Sequence, residues 1–471
     1  MSFEVHLDGP DDLVVQVYRQ LREAILDGRL RPGERLPPTR ELARATEVSR
    51  NTVATAYERL VAEGFVTARV GSGTYVEAGG GLRPASVTPG GSLRPRPIWA
   101  SETGPAPPVP RYDLRVGTPD ADLFPLAAWR RLVGRETRLT TLIEGRRAGP
   151  AGNPALRAAV ARRLGTARSV RATAADVLVT SGAQQAFDLI GRVLLAPGDV
   201  VAVEDPGYPQ VRALFQTQGA RVVGVPVDSR GLIVDALPAD ARLVYTTPSH
   251  QFPTGVTMAL ARRRELLAWA GRHDAAIVED DYDSEFRFAN RPLEPLHSLD
   301  AAGRVVYVGS FSKTMLPALR LGFLIAPAGL RPALLRAREV TVQHSDPGTE
   351  AALAAFLDEG LFARHLRTVT RVYGERRALL LGALRGELSR WLVPVPSTAG
   401  LHLTAHLRPE VRTGAATVVG RAARAGVAVQ TLAHFAMGPP DRDGLVIGFG
   451  SVATDRLPVA LRLLSGCFDA G

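Results

Sequence analysis

Lysine is almost missing from this chain: of its 57 lysines and arginines, Lys313 is the only lysine in 471 residues. Cysteine is equally scarce. Cys467 stands alone, which excludes internal disulfides and a cysteine-rich metal centre and leaves a buried or incidental thiol. No apolar run reaches the roughly 18 residues that a membrane-crossing helix needs. The N-terminus carries acidic residues and lacks the apolar stretch of a secretory signal, so a cytoplasmic protein with no membrane partner is expected. What remains is ordinary for a globular protein, with 45% hydrophobic and 22% charged residues, in a chain long enough for at least two domains. A net charge of +10 permits a nucleic-acid partner without demanding one.

Proline, glycine and small polar residues dominate residues 79–110, where no hydrophobic period can be found. This reads as a linker between a domain at 1–78 and a larger one at 111–471. In the first, Leu13, Val17, Leu21 and Ile25 recur every four residues and predict an amphipathic helix stopped at Gly28. Thr39 and Ser49 are expected to cap two further helices, the second ending at Gly64. "FVTARVGSGTYV" then gives two β-rich runs around a Gly-Ser-Gly turn. Three helices and a hairpin form a winged helix-turn-helix, α+β in class, whose third helix enters the major groove by its N-terminal end. Ser49, Arg50, Asn51 and Thr52 fall at that end, and Arg40 lies on the helix before. Residues 1–78 as a whole lean acidic. Only the 29–50 stretch is locally basic, so DNA binding has to rest on a small patch, presented by a dimer.

Beyond residue 111, the runs "DVLVT", "DVVAVE", "RLVYTT", "AAIVED", "RVVYVGS" and "GFLIAP" alternate with helical stretches. That alternation predicts an α/β domain with a mostly parallel sheet and ligand chemistry at the strands' carboxyl ends. Ser181, Gly182 and Ala183 sit where a strand hands over to a helix, a place suited to phosphate. Asp280 and Tyr282 follow another strand; Ser310, Ser312 and Lys313 follow a third, with Arg320 seven residues on. An arginine bias can remove lysine wherever either cation serves. It cannot do so where a neutral amine has to form a Schiff base, because a guanidinium stays protonated. A phosphate cradle, a carboxylate, a phenol, an amine and an arginine together meet the needs of pyridoxal phosphate.

The string "LRPGERLPPTRELA…VSRNTVATAYERLVAEGFV…VGSGTYV" resembles the GntR-type winged helix of bacterial transcription factors across residues 11–76. That resemblance implies operator contacts by Arg40, Arg50 and Thr52, with Gly71 at the wing tip. "GNPALRAAVARRL", "SGAQQA", "EDPGYP", "VEDDYDSEF" and "SFSK…LRLG" occur in the order of the fold-type I, class I aminotransferases. This second resemblance implies pyridoxal phosphate bound by Lys313, with Asp280 on the ring nitrogen, Tyr282 on the 3-hydroxyl and Tyr208 stacked on the ring. Gly182, Ala183, Ser310, Ser312 and Arg320 would then surround the phosphate. The two halves together resemble the MocR subfamily of regulators. The combination implies a homodimer that binds operator DNA and responds to an amino compound or to pyridoxal phosphate itself.

Two departures from the aminotransferase pattern stand out. "HQFPTG" puts Phe252 where the family has an asparagine facing the 3-hydroxyl, so that His250 or Gln251 would have to substitute. "DGLVIGFGSV" has Leu445 where the enzymes carry an arginine that clamps a substrate carboxylate, with Arg442 nearby. Lacking that clamp, the chain fits a sensor better than the alternative, a working aminotransferase with an accessory DNA-binding domain. His273, His297, His344, His365, His402 and His434 show no metal spacing and read as surface or core fillers. The "RRR" at 262–264 reads as a solvated helix face.

Overall fold

The computed structural model describes residues 5, 7, 12–77, 93–99, 109–147, 149–288, 294–343 and 345–469. His344 and most of the Pro/Gly-rich stretch lie outside the described residues. The chain divides into two compact units, residues 1–103 and 104–471.

In the first unit, helices α1 (Leu13–Leu26), α2 (Thr39–Ala45) and α3 (Arg50–Ala62) precede strands β1 (Val66–Arg69) and β2 (Gly73–Val76). β1 and β2 pair antiparallel. Val17, Leu21 and Ile25 of α1 are buried with Val53, Ala56 and Leu60 of α3, as the four-residue period predicts. Leu13 is the exception, left exposed in the first turn. Gly28 and Gly64 both take positive φ just past their helices. Ser49 caps α3 as expected, accepting from Thr52 N at 3.0 Å. Thr39 does not cap α2. Pro38 occupies that place without a side-chain bond, and Thr39 is already helical. The proline's fixed φ sets the helix entry, so no hydroxyl is needed for the turn.

The second unit is built on an eight-stranded sheet. Its strands are β3 (Val177–Thr180), β4 (Val200–Asp205), β5 (Arg221–Asp228), β6 (Gly231–Leu232), β7 (Ala241–Thr246), β8 (Ala276–Asp281), β9 (Val305–Ser310) and β10 (Gly322–Ile325). They lie in the order β3-β10-β9-β8-β7-β4-β5-β6. The run from β9 to β5 is parallel, whereas β10 is antiparallel to both its neighbours. This is the mostly parallel α/β sheet expected, and its strands other than β5 are buried nearly throughout, as in sheets covered on both faces. Helix α4 (Ala183–Leu194) follows β3, and α5 (Leu260–Arg272) follows β7. On α5 the solvated-face reading fails for two of three arginines, because Arg262 and Arg263 are buried. Arg263 donates to the carbonyls of Met258, Glu294 and Pro248 at 3.0, 3.0 and 2.8 Å. Arg262 donates to Leu232 O at 2.5 Å and Asp228 Oδ2 at 3.1 Å. A guanidinium carries five donors, enough to satisfy loop carbonyls that would otherwise be buried unpaired.

A smaller sheet closes the C-terminal part: β11 (Leu392–Pro394), β12 (His402–Leu407), β13 (Gln430–Thr431) and β14 (Gly444–Gly448), ordered β11-β12-β14-β13. Its apolar face packs on Leu457, Leu461 and Leu464, and Leu445 of β14 is fully buried in that core. His402 and Thr404 point the other way, both donating to Pro253 O.

Candidate functional site

A cavity of about 420 Å³ opens at the carboxyl ends of β3, β8 and β9. Ala183, Tyr208, Asp280, Tyr282, Ser310, Ser312, Lys313 and Arg320, eight of the residues predicted from sequence, line its wall. Gly182, the ninth, lies directly behind Arg320. It caps α4 at φ +82°, and a Cβ there would come within 3.1 Å of the Arg320 guanidinium. No side chain caps α4, so its leading N–H groups stay available at the cavity. Arg320 donates to Ser181 O at 2.6 Å from a left-handed backbone position. The Ser310 hydroxyl lies 2.8 Å from that of Ser312 and accepts from Ser312 N at 3.0 Å. A helix N-terminus, two hydroxyls and a guanidinium converge on one corner, an arrangement complementary to a phosphate.

Asp280 sits at the floor. Its Oδ2 accepts from the buried Tyr245 hydroxyl at 2.7 Å, while its Oδ1 is buried without any partner. Burial, together with the carboxylates of Asp281 and Asp283, pushes its pKa up to about 7. Asp281 has a different fate. Arg168 bonds it at 2.9 Å and, despite burial, holds its pKa below the usual carboxylate range. Lys313 Nζ donates to Gly117 O at 2.5 Å. Burial lowers the lysine's pKa against the opposing pull of Asp283 and Asp280, which favours the neutral amine. Gly117 has φ +90°, and a Cβ on it would lie 2.9 Å from Nζ. The orphaned Asp280 Oδ1, the softened amine and the phosphate-type corner fit pyridoxal phosphate. When bound, that group supplies an aldehyde carbon for an amine and a ring nitrogen for a carboxylate.

Of the two candidates to replace the asparagine, Gln251 is consumed elsewhere. Its amide nitrogen donates to Glu204 Oε2, Pro206 O and Phe252 O at 3.2, 2.9 and 2.6 Å, and its oxygen accepts from Thr254. His250 is the one that meets Tyr282, with Nδ1 2.9 Å from the phenol. Phe252 lines the cavity with its ring edge-on to Tyr208 and Tyr282. Leu445 lies in the small-sheet core and Arg442 lines a separate cleft, so Arg320 is the one arginine among the described lining residues.

Sequence reasoning missed several members. Tyr245 and Asp283 lay inside stretches already singled out, "RLVYTT" and "VEDDYDSEF", though neither was assigned a role, and nor was Gly117. Gln210, His402, Gln430 and His434 also line the cavity, which corrects the reading of His402 and His434 as fillers. His402 is fully enclosed, with its pKa lowered to about 3 by burial, so it is neutral. Nothing local marks His402, Gln430 or His434, because the small sheet and the short turn after Thr431 bring them in from far along the chain.

In the first unit, Arg40, Ser49, Arg50 and Asn51 are exposed and Thr52 is half-buried, all on α2 or the start of α3. Arg50 Nε lies 3.4 Å from Thr39 Oγ1. Gly71 stands at the exposed β1–β2 tip with φ +76°, beside a wholly exposed Val70.

The class is thus defined: a winged helix joined to the α/β scaffold of pyridoxal-phosphate enzymes. Residues 13–76 match the bacterial regulatory proteins of the gntR family, and residues 135–443 match the class I and II aminotransferases. The chain is 36% identical over 466 residues, 97% of its length and 93% of the relative's, to the probable rhizopine catabolism regulatory protein MocR of Rhizobium meliloti. It is 33% identical to the pyridoxine biosynthesis transcriptional regulator PdxR of Corynebacterium glutamicum, covering 98% of this chain and 97% of that one. Among solved structures, an archaeal alanine:glyoxylate aminotransferase superposes with a TM-score of 0.70 at 28% identity, over 76% of this chain and 90% of that one. The chain belongs to the MocR-type transcriptional regulators, GntR-type proteins that carry an aminotransferase-like domain. Among the described residues no helix is long and apolar enough to cross a membrane.

Proposed function

We propose that this regulator binds pyridoxal phosphate through Lys313 and senses an amine that lacks an α-carboxylate, or the cofactor itself, changing its operator contacts in response. The single lysine of the chain on the cavity wall, with the unpartnered Asp280 Oδ1 on the floor, carries this reading. In it, Asp280 holds the protonated ring nitrogen and Tyr208 covers the ring. Tyr282 faces the 3-oxygen, and Ser310, Ser312, Arg320, Gly182 and Ala183 hold the phosphate. The effector's class follows from charge. Arg320 is the one arginine among the described lining residues and is engaged with Ser181 at the phosphate corner, so an effector carboxylate would find no second guanidinium to clamp it, only neutral amides such as Gln210 and Gln430, the His434 imidazole and the acid Asp283. A buried carboxylate without a partner costs several kcal/mol.

On the DNA side, Arg40, Ser49, Arg50, Asn51 and Thr52 meet the major groove and Gly71 lets the wing approach a phosphate. The large unit is the dimerisation surface. In support, Leu139, Leu142 and Ile143 leave apolar side chains exposed on one helix, Leu139–Arg147.

The test uses full-length protein. Cofactor uptake should give a yellow species, and borohydride reduction with peptide mapping should place the adduct on Lys313. Added amines should change both the spectrum and an operator gel shift. An adduct elsewhere, or none with excess cofactor, overturns the assignment. Sustained turnover with an amino donor and keto acceptor would favour an enzyme.

A further inference from the structure

A buried hydrogen-bond chain runs from the small sheet to the cavity, and its proton order can be read from the distances. His250 Nδ1 lies 3.1 Å from both oxygens of Asp283 and 2.9 Å from the Tyr282 hydroxyl, and His250 Nε2 lies 3.1 Å from Ser397 Oγ. One ring nitrogen thus faces a carboxylate and a phenol together. A carboxylate only accepts, so Nδ1 has to carry a hydrogen to meet it, and a protonated nitrogen cannot accept from Tyr282. Asp283 is buried and Tyr282 only half-buried, so leaving Asp283 unpaired would cost more than leaving the phenol without an acceptor.

We infer that His250 shares its single Nδ1 hydrogen between Asp283 and the Tyr282 oxygen and so turns the Tyr282 proton into the cavity, which makes His250 a positioning residue acting through Tyr282 on the cofactor's 3-oxygen. This rests on the cofactor reading above. Gly400, at φ +79°, lets backbone pass so close that any side chain there would strike both His250 and Asp283. The pair is clamped from the small-sheet side. His402 lies alongside with ring centres 5.0 Å apart; its Nε2 donates to Pro253 O, so it holds no proton for this chain. The other charged groups acting on the phenol are Asp280, Glu204 and Asp281, with Lys313 on the same cavity wall. A donor that itself receives a hydrogen bond donates more strongly.

The readout is the pH midpoint at which the colour of the lysine-bound cofactor changes, taken on the full-length, cofactor-loaded protein. A donor to the 3-oxygen favours the form in which that oxygen is negative and so lowers the midpoint. Tyr282→Phe should raise it by about one pH unit. His250→Ala should raise it in the same direction by part of that amount. His250→Phe keeps the ring volume and serves if the alanine variant fails to fold. Adding either His250 change to Tyr282→Phe should produce no further shift. Additive shifts would mean that His250 acts independently of Tyr282. A midpoint that falls would mean that Tyr282 had been donating to His250, and an unchanged one that the contact is inert. Each overturns the inference. So would a stoichiometric metal released by chelator from His250, Asp283 and His402, whose ligand atoms lie within 4.8 Å of one another. A wild-type protein that takes up no cofactor fails the underlying reading as well, which separates the two failures.

Discussion

Replacing Asp280 by asparagine should stabilise the cofactor-free protein while weakening its hold on the cofactor. Its carboxyl is buried, with one oxygen on Tyr245 and the other on nothing, and its pKa lies at about 7 instead of the ordinary 3.8. A carboxyl whose folded pKa is raised favours the fold fully only below its unfolded pKa, and that contribution is lost as pH rises through the folded value. At ~1.36 kcal/mol per pH unit, keeping the aspartate costs the cofactor-free protein about 1.5 kcal/mol at pH 5 and about 4 kcal/mol above pH 7. Asparagine brings its own burial cost, but that cost does not vary with pH. The measurement is therefore the melting difference between variant and wild type, taken without cofactor at pH 5 and pH 8. It should grow in the variant's favour by about 2 to 3 kcal/mol, or about 5 °C at roughly 2 °C per kcal/mol for a large domain. With cofactor the order reverses. Losing a charge-assisted bond to the ring nitrogen, worth about 1.5 to 3 kcal/mol, should weaken binding by roughly 10- to 150-fold. Melting differences that stay constant with pH would refute the buried, reluctantly ionised Asp280, and unchanged cofactor affinity would refute its partner.

Arg50→Ala should weaken operator binding by about 1 to 3 kcal/mol, read by footprinting, without altering the cofactor spectrum. Lys313→Arg keeps the charge but supplies no neutral amine, so the borohydride adduct and the yellow species should vanish while operator binding without effector persists. Gly117→Ala should strain a left-handed backbone and press on Lys313 Nζ from 2.9 Å, lowering cofactor uptake in a spectral titration while leaving operator binding intact.

Legibility followed locality. The winged helix could be read because its period, cap and Gly-Ser-Gly turn are all local signals, and Thr39 was misjudged only because Pro38 already sets the entry. The strands of the large sheet could be read as apolar runs. β5 escaped, because Gly224 and Pro226 interrupt its pattern and its residues are less buried, as befits a strand near the sheet edge. In the cavity, the groups at strand ends were legible and those delivered by the small sheet were not. Arg262 and Arg263 show the same limit from the other side. A charge run on a helix reads as solvated unless the loop carbonyls that take up its donors are known, and those belong to residues far away in sequence.

The cation distribution itself argues for covalent chemistry at Lys313. Where arginines are buried here, each satisfies several fixed acceptors at once. Arg168 bonds Asp281 and Ser249, and Arg376 reaches Asp120, Gly450 O and Thr454. Those positions need a permanent charge and a fork of donors, for which arginine is better suited than lysine. Lys313 has the opposite surroundings. It has a single backbone acceptor, Gly117 O, two carboxylates within electrostatic reach, and enough burial that its pKa falls despite them. Electrostatics alone would favour an arginine beside Asp280 and Asp283, and a chain this biased toward arginine would have supplied one. What lysine offers at this position and arginine does not is a nitrogen able to give up its proton and form a bond, which supports the covalent role proposed for Lys313.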